Sequence, residues 1–229
     1  MQVSVVIPVL NEASRIATAV ERAWAAGADE VIVCDGGSVD ETRHLVAELR
    51  CRQVVSPQGR GIQQNRGAQV AEGEGLLFLH ADTWLPANGI SQVRDALSRP
   101  HCLGGCFYQR IVADAWWYRL LERGNAARAR LWMLPFGDQG LFFRRTVFDQ
   151  LGGFPEIPLM EDVRMMRRFR KIARPALLCG PLYVDPRRWQ RRGVLSQTLR
   201  NWCLLSAEKL GATPERLARY YSFDKADRE

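Results

Sequence analysis

The fold is set by two stretches, VSVVIPVLNE at residues 3–12 and VIVCDGGS at residues 31–38. Each is a short apolar run that ends in polar or glycine residues, as expected of a strand that is buried on both faces. Between them, Ile16, Val20 and Ala23 recur with the period of an amphipathic helix. We therefore predict a right-handed β-α-β unit with parallel strands.

The same alternation continues to residue 82 and then changes. Apolar runs at 53–55 and 76–79 predict two more strands, and helical periodicity covers 41–50 and 62–71. Beyond Pro86, strands are predicted at 103–112, 140–143 and 176–184, and helices at 90–97, 115–132, 162–172 and 192–222. The predicted fold class is α/β, with a mixed, mainly parallel sheet flanked by helices and a helical C-terminal segment.

The composition excludes several classes of protein. The chain has 229 residues, of which 47% are hydrophobic and 25% are charged, close to a globular average, so disordered and collagen-like chains are excluded. Its longest apolar runs are far below the roughly 18 residues of a spanning helix. The N-terminus shows no leader pattern, and the six cysteines form no C-x-x-C pair. We expect a cytoplasmic protein with reduced thiols.

Positive charge is concentrated in the second half of the chain. Residues 1–100 carry a net charge of −3 and residues 101–229 a net charge of +10. Such a basic region favours a phosphorylated substrate, an anionic membrane or nucleic acid as the partner. A high arginine content can also reflect genome composition alone. The aromatic cluster at 116–118 is interpreted as core or interface rather than as part of a catalytic site.

Polar residues follow each of the first four predicted strands. Asn11, which could also cap the next helix, stands with Glu12 after the first strand, and Asp35 follows the second. Gly59-Arg60-Gly61 comes after the third strand, and His80 and Asp82 come after the fourth. Turns favour such residues anyway. In an open α/β sheet, however, ligands bind beyond the carboxyl ends of the strands, so four such ends in succession predict a ligand site.

These residues also form motifs in a characteristic order. The motifs are the stretches at 5–12 and 31–40, the Gly-Arg-Gly and Asn-Arg-Gly triplets at 59–61 and 65–67, His-Ala-Asp-Thr at 80–83, Gly-Gly-Phe-Pro at 152–155, Met-Glu-Asp at 160–162 and Arg-Arg-Trp at 187–189. Together they resemble glycosyltransferase family 2, the inverting enzymes with a Rossmann-like GT-A fold. The His-Ala-Asp-Thr variant and the short C-terminal end resemble a bacterial subfamily named for arsenosugar biosynthesis gene clusters.

The resemblance implies a nucleotide-sugar donor, with a uridine diphosphate sugar favoured. It assigns ten residues to the donor side: Pro8, Asn11, Glu12, Asp35, Gly59, Arg60, Asn65, His80, Ala81 and Asp82. A carboxylate at Asp35 could accept hydrogen bonds from a uracil imide or a ribose hydroxyl. Arg60 offers a planar donor group to a diphosphate. For Glu12 and Arg60, a first-turn helix acid and an exposed loop charge remain open alternatives.

The metal motif of the family departs from its usual form in this chain. The residue that is usually the first Asp of D-x-D is His80, and Asp82 aligns with the last Asp, which contacts the divalent cation in the family. The resemblance therefore implies Mn²⁺ or Mg²⁺ with Asp82 as its ligand, since both cations take carboxylate and phosphate oxygens. His80 could contact ribose, bind the metal weakly or fill space.

On the acceptor side, the resemblance assigns Asp138, Gln139, Glu161, Arg188 and Trp189, with Asp162 as the catalytic base. Glu161 is the rival base. An N-terminal helix position would favour the charged form of Asp162. For Asp138 and Gln139, loop capping remains equally open, and Trp189 could stack on a sugar or simply pack.

We thus expect one GT-A domain over 1–229, with a nucleotide-sugar-binding half (1–100), an acceptor-side half (101–190) and C-terminal helices (191–229). The expected reaction moves a sugar to a hydroxyl of a small-molecule, glycan or lipid-linked acceptor. Arginines at 187, 188, 191 and 192 beside an apolar helix leave peripheral contact with the inner face of a membrane open. The alternative is a non-catalytic basic protein that binds nucleotides or nucleic acid, although no nucleic-acid motif accompanies the charge.

Overall fold

Strands and helices alternate along most of the chain. The computed structural model describes residues 1–220 and, within them, every side chain except those of residues 188, 191, 192, 194, 195, 197 and 220. The strands are β1 (Val3–Val9), β2 (Glu30–Asp35), β3 (Arg52–Val55), β4 (Gly75–Phe78), β5 (Thr83–Trp84), β6 (Gly104–Ile111), β7 (Phe142–Arg144) and β8 (Ala176–Val184). The helices are α1 (Ile16–Ala25), α2 (Thr42–Glu48), α3 (Arg60–Val70), α4 (Gly89–Ser98), α5 (Trp116–Leu131), α6 (Arg145–Gln150), α7 (Glu161–Phe169), α8 (Arg187–Arg192), α9 (Val194–Lys209) and α10 (Pro214–Tyr220), with a 3-10 turn at Gly137–Gln139.

Within residues 1–220, the eight strands form one sheet in the order β3-β2-β1-β4-β7-β6-β8-β5. The first four strands of this order run parallel, as the β-α-β pattern predicts. Strand β7 is antiparallel to both β4 and β6, β8 is parallel to β6, and β5 is antiparallel to β8. The predicted α/β class, with a mixed and mainly parallel sheet, flanking helices and a helical C-terminal segment, is confirmed.

Four local features differ from the sequence prediction. Strand β5 and helices α6 and α8 were not predicted, because two residues in the strand and six in each helix are too few for a periodic pattern. Asn11 does not cap α1, which begins at Ile16. Asn11 instead has a positive φ of 56°, and its side-chain oxygen accepts the N–H of Val39 across the loop.

The sheet is covered on both faces, and each face has its own core. On one face, five phenylalanine rings pack together, with Phe78 4.9 Å from Phe154 and 5.1 Å from Phe148 between ring centroids. The other face is mainly aliphatic and includes Val5, Ile7 and Val33. Phe154 comes from the Gly-Gly-Phe-Pro motif, so this motif is anchored in the core.

The C-terminal segment packs onto the rest of the chain through a buried acid. Glu208 of α9 forms ion pairs with Arg164 and Arg167 of α7. The predicted basic patch and its helix are described only in part, because the side chains of Arg188, Arg191, Arg192 and Leu195 are not among those described. None of the helices in residues 1–220 is long and apolar enough to cross a bilayer.

Helix α3 lies close to the sheet because Gly67 faces β1 and β2. A Cβ atom at Gly67 would lie 2.4 Å from Cγ1 of Val6 and 2.7 Å from the sulfur of Cys34. Both contacts are far inside van der Waals distance. The glycine therefore sets how closely the helix approaches the strands.

We expect Gly67→Ala to lower the free energy of unfolding by about 1–3 kcal/mol, since overpacking of a dense core outweighs the better helix propensity of alanine. Urea denaturation measures the change. Gly124→Ala is the matched control, because Gly124 is exposed in α5 and its Cβ would meet nothing within 4 Å. The control should gain up to about 1 kcal/mol. Equal effects of the two substitutions would contradict this account.

Candidate active site

The loop after β2 is held by side chains from the ends of two neighbouring strands. The carboxylate of Asp35 is fully buried and accepts the N–H groups of Gly37, at 3.0 Å, and Ser38. The N–H of Asn11 donates to the hydroxyl of Ser38 at 2.9 Å, and the Asn11 side chain accepts from Val39 at 2.9 Å. Both predicted donor-side residues thus fix the loop at 36–39.

Gln63 joins the same two strands, although it belongs to none of the sequence motifs. Its side-chain amide is buried and donates to the carbonyls of Val9, at 2.7 Å, and Cys34, at 2.8 Å. These carbonyls lie near the ends of β1 and β2, so Gln63 ties α3 to both strands. The signal for Gln63 in the sequence was a polar residue on the side of α3 that faces the sheet.

Acidic residues gather around the start of α8. Glu12 is half-buried and accepts from Arg15 at 2.9 Å. Arg187 donates to Asp185 at 2.7 Å, and this hydrogen bond raises the pKa of Arg187. The negative charges of Asp82 and Glu12 raise it further, so both predicted donor-side acids lie near Arg187. Arg187 therefore becomes a further candidate for contact with a donor diphosphate.

The first residue of α3 reaches the acidic pair at the start of α7. Arg60 follows Gly59, whose φ is 144°, and its guanidinium lies 3.4 Å from a carboxylate oxygen of Glu161. Burial raises the pKa of Glu161 to about 7, against the lowering influence of Arg60 and with a smaller raising contribution from Asp162. Glu161 is only 3% exposed, which makes it a buried partner of Arg60.

Asp162 has a different setting from its neighbour. One of its carboxylate oxygens accepts the N–H of Gly137 at 2.7 Å, and the other accepts the N–H of Val163 at 2.7 Å. A Cβ atom at Gly137 would lie 3.3 Å from both Asp162 Oδ2 and His80 Nε2. The predicted base and the unusual histidine of the metal motif therefore meet at Gly137.

Asn65 holds the Gly-Gly-Phe-Pro segment in place. Its side-chain amide donates to the carbonyl of Phe154 at 2.9 Å, and its side-chain oxygen accepts the N–H of Phe154 at 2.9 Å. Gly153, with φ of 68°, leaves the room that this close approach needs. Asn65 was assigned to the donor, whereas in the structure it shapes the segment that leads to Glu161 and Asp162.

Five of the predicted polar residues line one pocket: Arg60, His80, Asp138, Glu161 and Asp162. The rest of the wall is mainly apolar and consists of Phe136, Leu159, Met160, Val163, Leu204 and Leu205, with Asn201 beside them. The pocket encloses about 90 Å³. That is room for several waters, but it is smaller than the roughly 300–1,000 Å³ of a typical ligand pocket. It suits a reacting group rather than a whole nucleotide sugar.

The loop at 136–139 is supported from behind by Arg128, a residue that the sequence analysis did not select. Buried Arg128 donates to the side-chain oxygen of Gln139 at 3.0 Å and lies 3.3 Å above the ring of Phe136. Burial lowers the pKa of Arg128 to about 10. Gln139 is fully buried and lies outside the pocket wall, while its neighbour Asp138 lines the pocket.

The remaining predicted residues stand at the margins of the site. Pro8 lies in β1, opposite Cys34 of β2, and Ala81 is half-buried between His80 and Asp82. Trp189, in α8, is half-buried and does not line the pocket. The side chain of Arg188 lies outside the described residues.

The described part of the molecule has few side chains placed together that could hold a metal ion. There, no three or more His, Cys, Asp and Glu residues form a group that could hold a metal ion. Asp185, which lies just before α8, forms an ion pair with Arg187. The available donor set is a single carboxylate, Asp82, which fits Mg²⁺ or Mn²⁺ only if a ligand supplies further oxygens.

Solved structures share this fold at low sequence identity. S. aureus TarS in complex with UDP is 20% identical, covers 81% of this chain and has a TM-score of 0.61; the chain spans 60% of its length. The complex with UDP-GlcNAc has the same identity and TM-score, with 58% of its length spanned. Glucosyl-3-phosphoglycerate synthase from Mycobacterium tuberculosis is 18% identical over 80% of this chain and 70% of its own, with a TM-score of 0.56.

No curated protein shows a significant sequence match to the chain. The similar structures support the GT-A architecture that the sequence resemblance implied. The profile of glycosyl transferase family 2 matches residues 4–154, about two thirds of the chain and every motif up to Gly-Gly-Phe-Pro. The chain therefore belongs to glycosyl transferase family 2.

Proposed function

We propose that the protein is an inverting glycosyltransferase that moves a sugar from a nucleoside diphosphate sugar, with UDP as the favoured nucleotide, to an acceptor hydroxyl. The observation that carries the proposal is the pocket in which His80, Arg60, Glu161 and Asp162 meet beyond the sheet. Family membership and the UDP complexes of the similar structures support it. The closer resemblance to the arsenosugar-cluster subfamily remains a proposal.

For the donor, we propose that the nucleotide binds at the loop that Asp35 and Asn11 fix after β2. Arg60 would contact the diphosphate, with Arg187 beside Glu12 and Asp82 as a second cation. The Arg60–Glu161 pair supports this, because a buried partner holds the guanidinium at the edge of the pocket. We propose that Glu161 acts in positioning Arg60 rather than as the base.

Asp82 is the residue proposed to hold a divalent cation, Mn²⁺ or Mg²⁺, together with oxygens of the donor diphosphate. The synthase from M. tuberculosis was solved with Mn²⁺ and UDP, which supports this cofactor. Such a cation would neutralise charge on the leaving diphosphate. His80 stands next to Gly137 and Asp162, which favours a role beside the reacting groups over a role as a metal ligand.

In the proposed reaction, Asp162 removes the proton of the acceptor hydroxyl. The oxygen then attacks the anomeric carbon as the bond to the diphosphate breaks, which inverts the configuration. Asp162 suits this role because two backbone N–H groups fix its carboxylate at the pocket wall. The acceptor class, whether small molecule, glycan or lipid-linked, remains open. The six free thiols fit a cytoplasmic location.

Donor binding provides the first test of the function. UDP with Mn²⁺ at about a hundred times its dissociation constant should raise the Tm by roughly 5–10 °C, as expected for a domain of this size. For Asp82→Asn, adding Mn²⁺ should no longer increase the shift that UDP gives alone. Differential scanning fluorimetry measures both effects. Stabilisation by oligonucleotides and not by UDP would instead favour the nucleic-acid-binding alternative.

Asp162→Asn should lower turnover about 10²–10⁴-fold, the usual contribution of a general base. UDP affinity should stay within a factor of about two to three, because the asparagine oxygen can still accept the Gly137 N–H. The assay follows UDP release across a panel of UDP-sugars, and calorimetry follows UDP binding. Asp149→Asn, an exposed acid in α6, is the matched control. A near-normal rate for Asp162→Asn would make Glu161 the base.

The raised pKa of Glu161 predicts a pH-dependent stability. The folded protein binds the proton of Glu161 more tightly than the unfolded chain does, so stability should fall as the pH rises from about 5 through 7. Glu161→Gln mimics the protonated form. Relative to wild type, it should therefore gain about 1–3 kcal/mol between pH 5 and pH 8.

Urea denaturation at the two pH values measures this gain. Glu21→Gln, on the exposed side of α1, controls for the loss of an acidic charge. If the stability difference between Glu161→Gln and wild type were the same at pH 5 and pH 8, Glu161 would not be the buried titrating group that the structure indicates.

A further inference from the structure

One face of α5 is apolar and exposed. Trp116, Leu120 and Leu131 lie on the same side of the helix, and Trp117 adjoins them. Trp116 is 71% and Leu131 is 72% exposed, which is unusual for side chains of this size. Residues 116–118, which the sequence predicts to be core or interface, therefore differ in their settings. Tyr118 is buried, whereas both tryptophans face outward.

Helix α9 extends this apolar surface. Leu199 and Trp202 are exposed, and the ring of Trp202 packs edge-on against Trp132 at 5.6 Å. Trp132 directly follows α5 in the chain. We call this surface the tryptophan face; it consists of Trp116, Trp117, Leu120, Leu131, Trp132, Leu199 and Trp202. A group of large apolar side chains this exposed is a candidate interaction site.

The two helices of the tryptophan face, α5 and α9, expose charges of one sign only. Residues 116–132 contain a single acid, Glu122, and residues 194–209 contain a single acid, Glu208. Both acids are buried, and arginines pair with both of them, including Arg119 with Glu122 at 3.0 Å. Neither helix therefore presents an acidic side chain on its exposed side.

Arginines surround the face where α5 ends. Arg123 and Arg130 are exposed on α5 itself. From the segment after α7, Arg170 donates to the carbonyl of Trp132 and Arg174 donates to the carbonyl of Arg130. Asp114, just before α5, is an exposed acid at the opposite end. The face thus combines tryptophan and leucine with a basic rim.

We propose that the tryptophan face docks onto the surface of an anionic lipid bilayer. Indole rings favour the membrane interface, and arginines beside an apolar helix face add attraction to anionic headgroups. A second copy of the chain fits the face less well, because a two-fold pairing would bring two arginine-rimmed faces together, and neither α5 nor α9 exposes an acid to pair with them. This docking does not depend on the transferase reaction.

The tryptophan face lies next to the pocket. Asn201, Leu204 and Leu205 of α9 line the pocket, while Leu199 and Trp202 of the same helix belong to the face. Docking would therefore hold the pocket beside the headgroups. If the proposed function also holds, this position favours a lipid-linked acceptor.

Vesicle flotation of the full chain tests the docking directly and needs no turnover. The protein should float with vesicles of phosphatidylcholine and phosphatidylglycerol at low salt, and less with phosphatidylcholine alone or at high salt. The triple substitution Trp116→Ser, Trp117→Ser and Leu120→Ser should lower the floated fraction at least about tenfold. Val39→Ser with Val55→Ser, two exposed apolar positions elsewhere, should float like wild type.

A second variant separates charge from apolar contact and guards against misfolding of the first. Arg123→Glu with Arg130→Glu, both at exposed positions, should also reduce flotation with anionic vesicles, and circular dichroism should show that each variant is folded. Three results would overturn the proposal: wild type remaining at the bottom of the gradient, equal flotation with neutral vesicles, or a wild-type dimer that the triple substitution converts to a monomer in sedimentation.

Discussion

The placement of α3 on the ends of β1 and β2 is the contact on which the rest of the site depends. Gly67 permits the close approach, and the amide of Gln63 donates to carbonyls near the ends of both strands. With the helix fixed in this way, Arg60 reaches Glu161 and Asn65 reaches Phe154. A shift of α3 would break all of these contacts together, because they start from one rigid element.

The same packing gives two adjacent carboxylates different environments. Glu161 is buried against Arg60, and its pKa is raised to about 7. Asp162 is half-buried at the pocket wall, where two N–H groups bind it. Neighbouring acids in unlike settings can divide the tasks of a reaction between them. These unlike settings support the proposal that Glu161 is a structural acid and Asp162 the reactive one.

Periodicity was sufficient to predict the sheet class, because buried strands and amphipathic helices leave clear patterns. Two of the strand-end residues that the sequence singles out, Arg60 and His80, line the pocket. Periodicity could not predict β5 or α6, which are too short to show a period. It also could not predict the contacts of Gln139 with Arg128 and of Asn65 with Phe154, because these residues become neighbours only in the folded chain. The pocket wall from α9 was missed for the same reason.

The pocket has a charged side and an apolar side. Its charged side comes from α3, the end of β4, the turn at 137–139 and the start of α7. Its apolar side comes from the segment at 159–163, from α9 and from Phe136, which Arg128 supports. Because Glu208 ties α9 to α7 through Arg164 and Arg167, the apolar wall moves with the helix that carries Asp162. If the proposed function holds, residues of α9 that face the pocket could alter acceptor choice while the proposed base stays in place.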